Sequence, residues 1–360
     1  MSPTIYKYPV TNTEAALTIS RALELLRPHL PQSLPIFRRL QFGRFFDATC
    51  LLSSVDLTLH GNEQVTSSLQ PWALAFVDRS CRPETEVWLF GTWETSSPPS
   101  PPATDESGKA NNELVLALAV TMKALPLPLS IHDQASTATN NGNKNGDRNE
   151  QDTGGHTRTD YANHATNVSI MLWGAIHSST FHILQRLDLL SPQHKAVEEP
   201  NHTFLFDIAS LPSQPSVLPE GLQWGKVKPQ DFELIKSRTQ IPRQTRTMAI
   251  LPSLAVYPIY SPENQDVTPI AWAFIGLDSS LTTLHVEPTY RGRGLAKMIT
   301  SKIFREEMNH FNTRDDVVDS TALGYVQVGN KASEGMCRSL GGKADWECYW
   351  LRVDLSRAGR

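Results

Sequence analysis

Leu284 to Ile299 (LHVEPTYRGRGLAKMI) constrains this chain more than any other stretch. It reads as a β-strand, a tight basic glycine loop and the first turn of a helix. The start of a helix leaves backbone N–H groups unpaired and carries partial positive charge, so it can hold a phosphate. Arg291 and Arg293 add permanent charge beside those groups. Gly292 and Gly294 let the backbone approach a ligand where a Cβ would intrude. The segment predicts a strand–loop–helix unit built for a small phosphorylated ligand.

Two phosphate loops are excluded by spacing. A P-loop needs four residues between its glycines and then Gly-Lys-Ser/Thr, which is absent. A dinucleotide fingerprint needs G-x-G-x-x-G, and here Gly292-Arg293-Gly294 is followed by Leu295, Ala296 and Lys297. What remains is R-x-x-G-x-A, from Arg291 through Gly294 to Ala296, after a strand ending in Val-x-Pro. This resembles the acyl-CoA pyrophosphate loop of the GNAT superfamily of N-acyltransferases. Downstream, Leu323 to Val328 (LGYVQV) reads as a short strand, followed by Asn330, a short helix, Leu340-Gly341 and a last strand, Glu347 to Val353. That order is also similar to the family's.

The resemblance implies that acetyl-CoA or another acyl-CoA is the co-substrate. Its pyrophosphate would lie on Arg291, Gly292, Arg293, Gly294, Leu295 and Ala296. Its arm would run along Leu284 and Val286 toward Asn330, which also suits a helix N-cap. The strand at Leu284–Val286 and the one at Leu323–Val328 would splay apart around the thioester. A backbone N–H near Val286 would polarise the carbonyl. Many family members place a Tyr seven residues after the Asn to protonate the departing thiolate, and here that position is Cys337. A thiol, with an ordinary pKa of about 8.5 against about 10 for a phenol, is able to donate that proton. A buried apolar cysteine is the alternative, and Tyr325 and Tyr349 are other donors.

An attacking amine must lose a proton. Strict alternation puts Thr283, His285 and Glu287 on one strand face, with Leu284 and Val286 on the other. His285 is the candidate base because its ordinary pKa lies near neutrality; an ordinary half-buried strand residue is the competing account. Asp278 and Ser280 are lesser candidates. The animal glycine N-acyltransferases carry an acidic residue near Ser280, so that base does not transfer to this chain.

Composition sets the bounds. The 360 residues suffice for two domains, and a net charge of −4 gives no general attraction to nucleic acid or anionic membrane. No apolar run is long enough to span a membrane. The N-terminus lacks a charged start followed by an apolar core, so the expected setting is cytoplasmic or nuclear rather than secreted. The four cysteines show no C-x-x-C pairing, the eleven histidines form no H-E-x-x-H array, and no metal is expected.

The order of elements after residue 221 fits one GNAT core. Leu222 to Lys228 reads as a strand, Pro229-Gln230-Asp231 opens a helix, and Met248 to Tyr257 and Ile270 to Leu277 read as strands. Lys297 to His310 reads as a helix with Leu295, Met298, Ile299, Ile303 and Phe304 on one face. Arg238–Arg243 reads as a solvated turn; the resemblance also puts it where the family places acceptor-binding helices, so that selection of an acidic acceptor by its charges is the alternative. The first half carries an echo: Trp72 to Ser80 (WALAFVDRS) matches Trp272 to Ser280 (WAFIGLDSS) in spacing and character. Gly91-Thr92-Trp93-Glu94 stands where the glycine loop would follow.

The expectation is an α/β (α+β) protein of two tandem GNAT-like folds, each with a mixed, mostly antiparallel sheet flanked by helices. The N-terminal copy (1–210) is degenerate, 211–221 is a linker, and 222–356 is the acyltransferase domain. Polar inserts near 96–109 and 130–160 cannot bury enough surface to order themselves. Asn112–Leu125 and Asn167–Leu190 read as helical. The expected function is acyl transfer from acyl-CoA to a small amine or amino acid by direct attack, as in the glycine N-acyltransferase-like subgroup. The competing reading is a non-catalytic acyl-CoA-binding module.

Overall fold

The computed structural model describes residues 3–10, 15–46, 48–58, 70–95, 106–128, 156–213, 217–259, 267–311 and 320–359. Most of the two polar inserts lies outside these residues. Among the described residues twelve strands follow in chain order: β1 (Tyr6–Pro9), β2 (Cys50–Ser53), β3 (Ala73–Val77), β4 (Val87–Gly91), β5 (Ile170–His177), β6 (Asn201–Asp207), β7 (Leu222–Gly225), β8 (Ser253–Pro258), β9 (Ala271–Ile275), β10 (Ser280–Val286), β11 (Thr321–Gln327) and β12 (Lys343–Asp354).

The chain forms two compact units. The first gathers described residues within Met1–Lys144, Thr159–Glu199 and Cys348–Arg360, and the second those within Asn145–Arg158 and Pro200–Glu347. In the first, β1 to β4 are successive antiparallel neighbours, β4 and β5 are parallel, and the end of β12 is antiparallel to β5. In the second, β7 to β10 are antiparallel neighbours, β10 and β11 are parallel, and β6 is antiparallel to β11. The same plan occurs twice, so the architecture is a tandem GNAT-like one. A parallel neighbour needs a long crossover. The helix Glu106–Lys123 lies in the first crossover and Leu295–Glu307 in the second.

Each core follows from the apolar pattern. In the second unit Leu295, Met298, Ile299, Ile303 and Phe304 are all buried, as the helical spacing predicts. β9 is buried along its whole length, with Trp272 and Phe274 packed among Phe232, Ile235, Met248 and Tyr257. In the first unit Val115, Leu118, Ala119 and Met122 pack with Trp173, Ile176 and Val353.

Two expectations are corrected. Asn167–Leu190 is not one helix: β5 occupies Ile170–His177 and a helix runs only from Ser178 to Arg186. A run of eight buried apolar-rich residues has no period that separates a buried strand from a buried helix. Met248–Tyr257 is not one strand, because Thr245–Ile250 is helical and β8 starts at Ser253. Pro252 separates the two elements, and the residue before a proline leaves the helical region. Arg238–Arg243 is the turn expected, with Arg238 exposed; Arg238 in addition donates to Glu287, just past β10, and Arg243 to Thr282 and Thr283.

Candidate active site

The parallel pairing of β10 with β11 is confined to Ser280 with Leu323 and Leu281 with Gly324. Beyond these rungs the two strands continue without partnering each other among the described residues, and this opens a cleft. A bulge in β10 gives the local cause. Thr282 opposes Phe274 and His285 opposes Trp272, so Thr283 and Leu284 together face Ala273. Thr283 has φ +54°, and such a bulge bends a strand and re-aims its side chains. The strict alternation expected through Thr283 therefore fails. After the bulge, Glu287 N–H donates to Ile270 O at 2.9 Å. Alternation then turns Val286 N–H away from β9, toward the cleft.

The glycine loop follows at once. Gly292 and Gly294 have φ +75° and +78°, the left-handed region that other residues enter only at a cost. A Cβ on either would meet no protein atom within 4 Å, so both backbones face open space. Gly294 starts the helix Leu295–Glu307 with no side-chain cap and no carboxylate in the first turn. The helix thus leaves its positive end to a ligand. Arg291 Nε donates to Val286 O at 3.0 Å, which ties the loop to the cleft strand. The Arg293 guanidinium lies 5.2 Å from the Tyr290 ring centre. Exposed guanidinium charge, free helix dipole and uncrowded glycine backbone suit a diphosphate. The residues fit the pyrophosphate of an acyl-CoA.

His285 stacks on Trp272, with ring centres 4.7 Å apart and planes 23° apart. Its Nε2 lies 3.8 Å from Glu287 Oε1. The same carboxylate oxygen accepts from Arg238 Nε at 2.8 Å. Arg243 donates to the hydroxyls of Thr282 (2.7 Å) and Thr283 (3.2 Å) across the bulge. Burial holds the His285 imidazole below the ordinary histidine value; Glu287 opposes this, and Arg291 and Arg238 reinforce it. The ring is therefore neutral at pH 7, the state a base requires. Sequence reasoning missed Trp272 as its support, and both arginines as fixed partners of the strand. Only the β9–β10 register brings Trp272 opposite His285, and no linear pattern encodes it.

The remaining expected residues are dispersed. Leu295 is buried and Ala296 half-buried in the first helical turn, while Leu284 is half-buried on the bulge. Asn330 Oδ1 accepts from Ser333 N–H at 3.1 Å and caps the helix Lys331–Ser339. Cys337 is 2 % exposed, and burial pushes its thiol up to about 12. The premise that this thiol is a stronger acid than a phenol is therefore reversed. Tyr325 leaves the last β10–β11 rung and donates to Asp278 Oδ2 at 3.0 Å. Tyr349 belongs to the first unit and stacks on Phe181. Among the described residues no group of three or more His, Cys, Asp or Glu is placed to hold a metal ion. No described helix is long and apolar enough to cross a membrane.

The first unit repeats the short parallel pairing, and the end of its β4 is covered. β4 pairs with β5 only at Val87 and Trp173. A Cβ on Gly91 would fall 2.2 Å from the Trp93 indole, so that ring occupies the space above the strand end. Trp93 Nε1 donates to Thr180 Oγ1 at 2.9 Å, and Thr180 donates to Glu94 Oε1 at 2.5 Å. Burial raises the Glu94 carboxyl to about 8, so it is protonated at neutrality. A group whose folded pKa exceeds its unfolded value of about 4.5 stabilises fully below that value. Its contribution is lost as pH rises to about 8. Glu94→Gln should remove this decline, which melting temperatures of wild type and variant at pH 5 and pH 9 will read.

The twice-repeated topology, the splayed parallel pair and the arginine–glycine loop define a tandem member of the GNAT superfamily. The family profile described as the N-terminal domain of the acyl-CoA N-acyltransferase verG matches residues 3–204, more than half of the 360-residue chain. The chain belongs to that family of acyl-CoA N-acyltransferases. A second profile, of FR47-like proteins, matches residues 259–351 and so spans the glycine loop. Among solved structures, an X-ray structure of a Drosophila protein aligns at TM-score 0.55 and 11% identity, over 93% of this chain and 95% of that one. A GCN5-related N-acetyltransferase from Sphaerobacter thermophilus aligns at 0.45 and 10% identity, over 98% and 96%. A tandem GNAT protein from the clavulanic acid biosynthesis pathway aligns at 0.44 and 10%, over 98% of each chain. A search of curated proteins finds no match.

Proposed function

We propose that the protein transfers an acyl group from acyl-CoA to an amine, at one active site in the second unit. The uncapped, doubly basic glycine loop at the mouth of the β10–β11 cleft is the observation that carries this reading. Bound acyl-CoA supplies an activated thioester. Val286 N–H, turned into the cleft, stabilises negative charge on the thioester oxygen. His285, neutral at pH 7, takes the proton of the attacking amine. A thiolate is a competent leaving group near neutrality, so its departure needs no buried acid. Cys337→Ala should accordingly leave kcat and its pH profile unchanged; a loss of rate with an altered alkaline limb would restore Cys337 as the donor. The likeness to the glycine N-acyltransferase-like subgroup favours a small amine or amino acid as acceptor, with an acetyl or larger acyl group.

The test is thiol release from acetyl-CoA across a panel of amines and amino acids. Turnover with at least one acceptor supports the reading. Tight binding with no turnover across the panel supports a non-catalytic acyl-CoA-binding module instead. Gly91-Thr92-Trp93-Glu94 stands in the first unit where a glycine loop would follow, which predicts one acyl-CoA per chain in the same titration.

A further inference from the structure

We propose that Glu287 and Arg238 are positioning residues that decide which nitrogen of His285 accepts the amine's proton. This rests on the reading of His285 as the base. Glu287 keeps the proton of the neutral ring on Nε2, so the lone pair on Nδ1 meets the acceptor, and Arg238 fixes Glu287 for that task.

Nε2 of His285 is buried and has no hydrogen-bond partner among the described residues. The carboxylate oxygen of Glu287 lies 3.8 Å from Nε2. A carboxylate accepts and cannot donate, so the neutral ring places its N–H on that side. The opposite nitrogen is then the basic one. Trp272 stacks against one face of the ring and restricts its rotation. Arg238, just past the helix Phe232–Ser237, reaches Glu287 Oε1 at 2.8 Å and holds the carboxylate at the strand end.

The gap has a chemical use. At 3.8 Å the Nε2–Glu287 contact is loose while the ring is neutral. During attack the new N–C bond forms and the C–S bond breaks, with its electron pair leaving on sulfur. The amine proton passes to Nδ1, and the ring becomes an imidazolium. The contact with Glu287 then joins an imidazolium to a carboxylate, and the attraction of two opposite full charges adds to the contact. An interaction that strengthens only as the ring gains charge lowers the barrier rather than tightening substrate binding. The charged groups facing the ring are Glu287 on the strand end, Arg291 on the loop and Arg238 after the helix. The face covered by β9 offers uncharged Trp272.

The experiment compares Glu287→Gln and Arg238→Gln with wild type in pH–rate profiles, alongside acyl-CoA titrations. Removing the carboxylate should lower kcat roughly 10-fold, a fraction of the ~10²–10⁴ a general base supplies. It should also move the acid limb to lower pH. Removing the guanidinium should move that limb to higher pH. Acyl-CoA affinity stays unchanged in both, and Glu287→Asp recovers part of the rate. ¹⁵N chemical shifts of His285 should report the Nε2–H tautomer in wild type and lose that preference in Glu287→Gln. A wild type that turns over while Glu287→Gln keeps its kcat, acid limb and tautomer would overturn this inference alone. Tight acyl-CoA binding without any turnover in wild type would instead overturn the acyltransferase reading beneath it.

Discussion

Gly294→Glu should abolish acyl-CoA binding while leaving the fold in place. Gly294 sits at φ +78° at the start of the loop helix, and a β-carbon there costs about 1–2 kcal/mol in backbone strain. That cost is local, because a Cβ on Gly294 meets no protein atom within 4 Å. It projects into the space before the free N–H groups of Leu295–Glu307, where no side chain caps the helix. The added carboxylate takes the helix end that a diphosphate would use and repels the diphosphate itself. The expected result is at least about a 100-fold weaker Kd, near 2.7 kcal/mol, by calorimetric titration with CoA. Circular dichroism should match wild type. Undiminished affinity in a folded variant would remove the basis for placing the co-substrate on this loop.

The second large effect is at the ring beside the bulge. His285→Gln should lower kcat by ~10²–10⁴, the range a positioned general base contributes, with little change in acyl-CoA affinity. Glutamine keeps a polar group against Trp272 and removes the titrating nitrogen. In wild type, kcat/KM should fall as pH drops through the His285 pKa. Burial sets that pKa below the ordinary histidine value, so activity persists into mildly acidic solution. The variant should lose that acid limb. A rate and profile equal to wild type would move the base to another residue, with Asp278 on the hairpin of the same unit the next to test.

Much of the second unit was readable because its signals are local. The glycine pair, the flanking arginines and the apolar face of Leu295–Glu307 lie within one short segment, and the structure keeps that segment as strand, loop and helix. Asn330 shows its capping role by chain position alone. Errors arose where the deciding partner is remote. β5 is a strand because β4 and the end of β12 pair with it, and those residues lie 83 positions before and 178 after its start, counting Val87 and Cys348 from Ile170. Its uniform burial hides any period. The bulge at Thr283 was likewise invisible, since a positive φ at threonine has no sequence signal. The segment Arg238–Arg243 is the expected turn, but the partners of its arginines were hidden, because Glu287 and the hydroxyls of Thr282 and Thr283 are 39 to 49 residues away.

The sequence by itself determined that a diphosphate-holding loop exists, that it stands between a strand and a helix, and that the first half lacks it. Backbone chirality at glycine, helix-end polarity and fixed guanidinium charge need no distant partner, so they are legible in a line of residues. Tertiary structure alone decided what surrounds His285. A stacked indole from the neighbouring strand, a carboxylate two residues on and a guanidinium from the turn after a separate helix converge there. Their effect on one imidazole depends on distances and burial, which exist only once the sheet has formed.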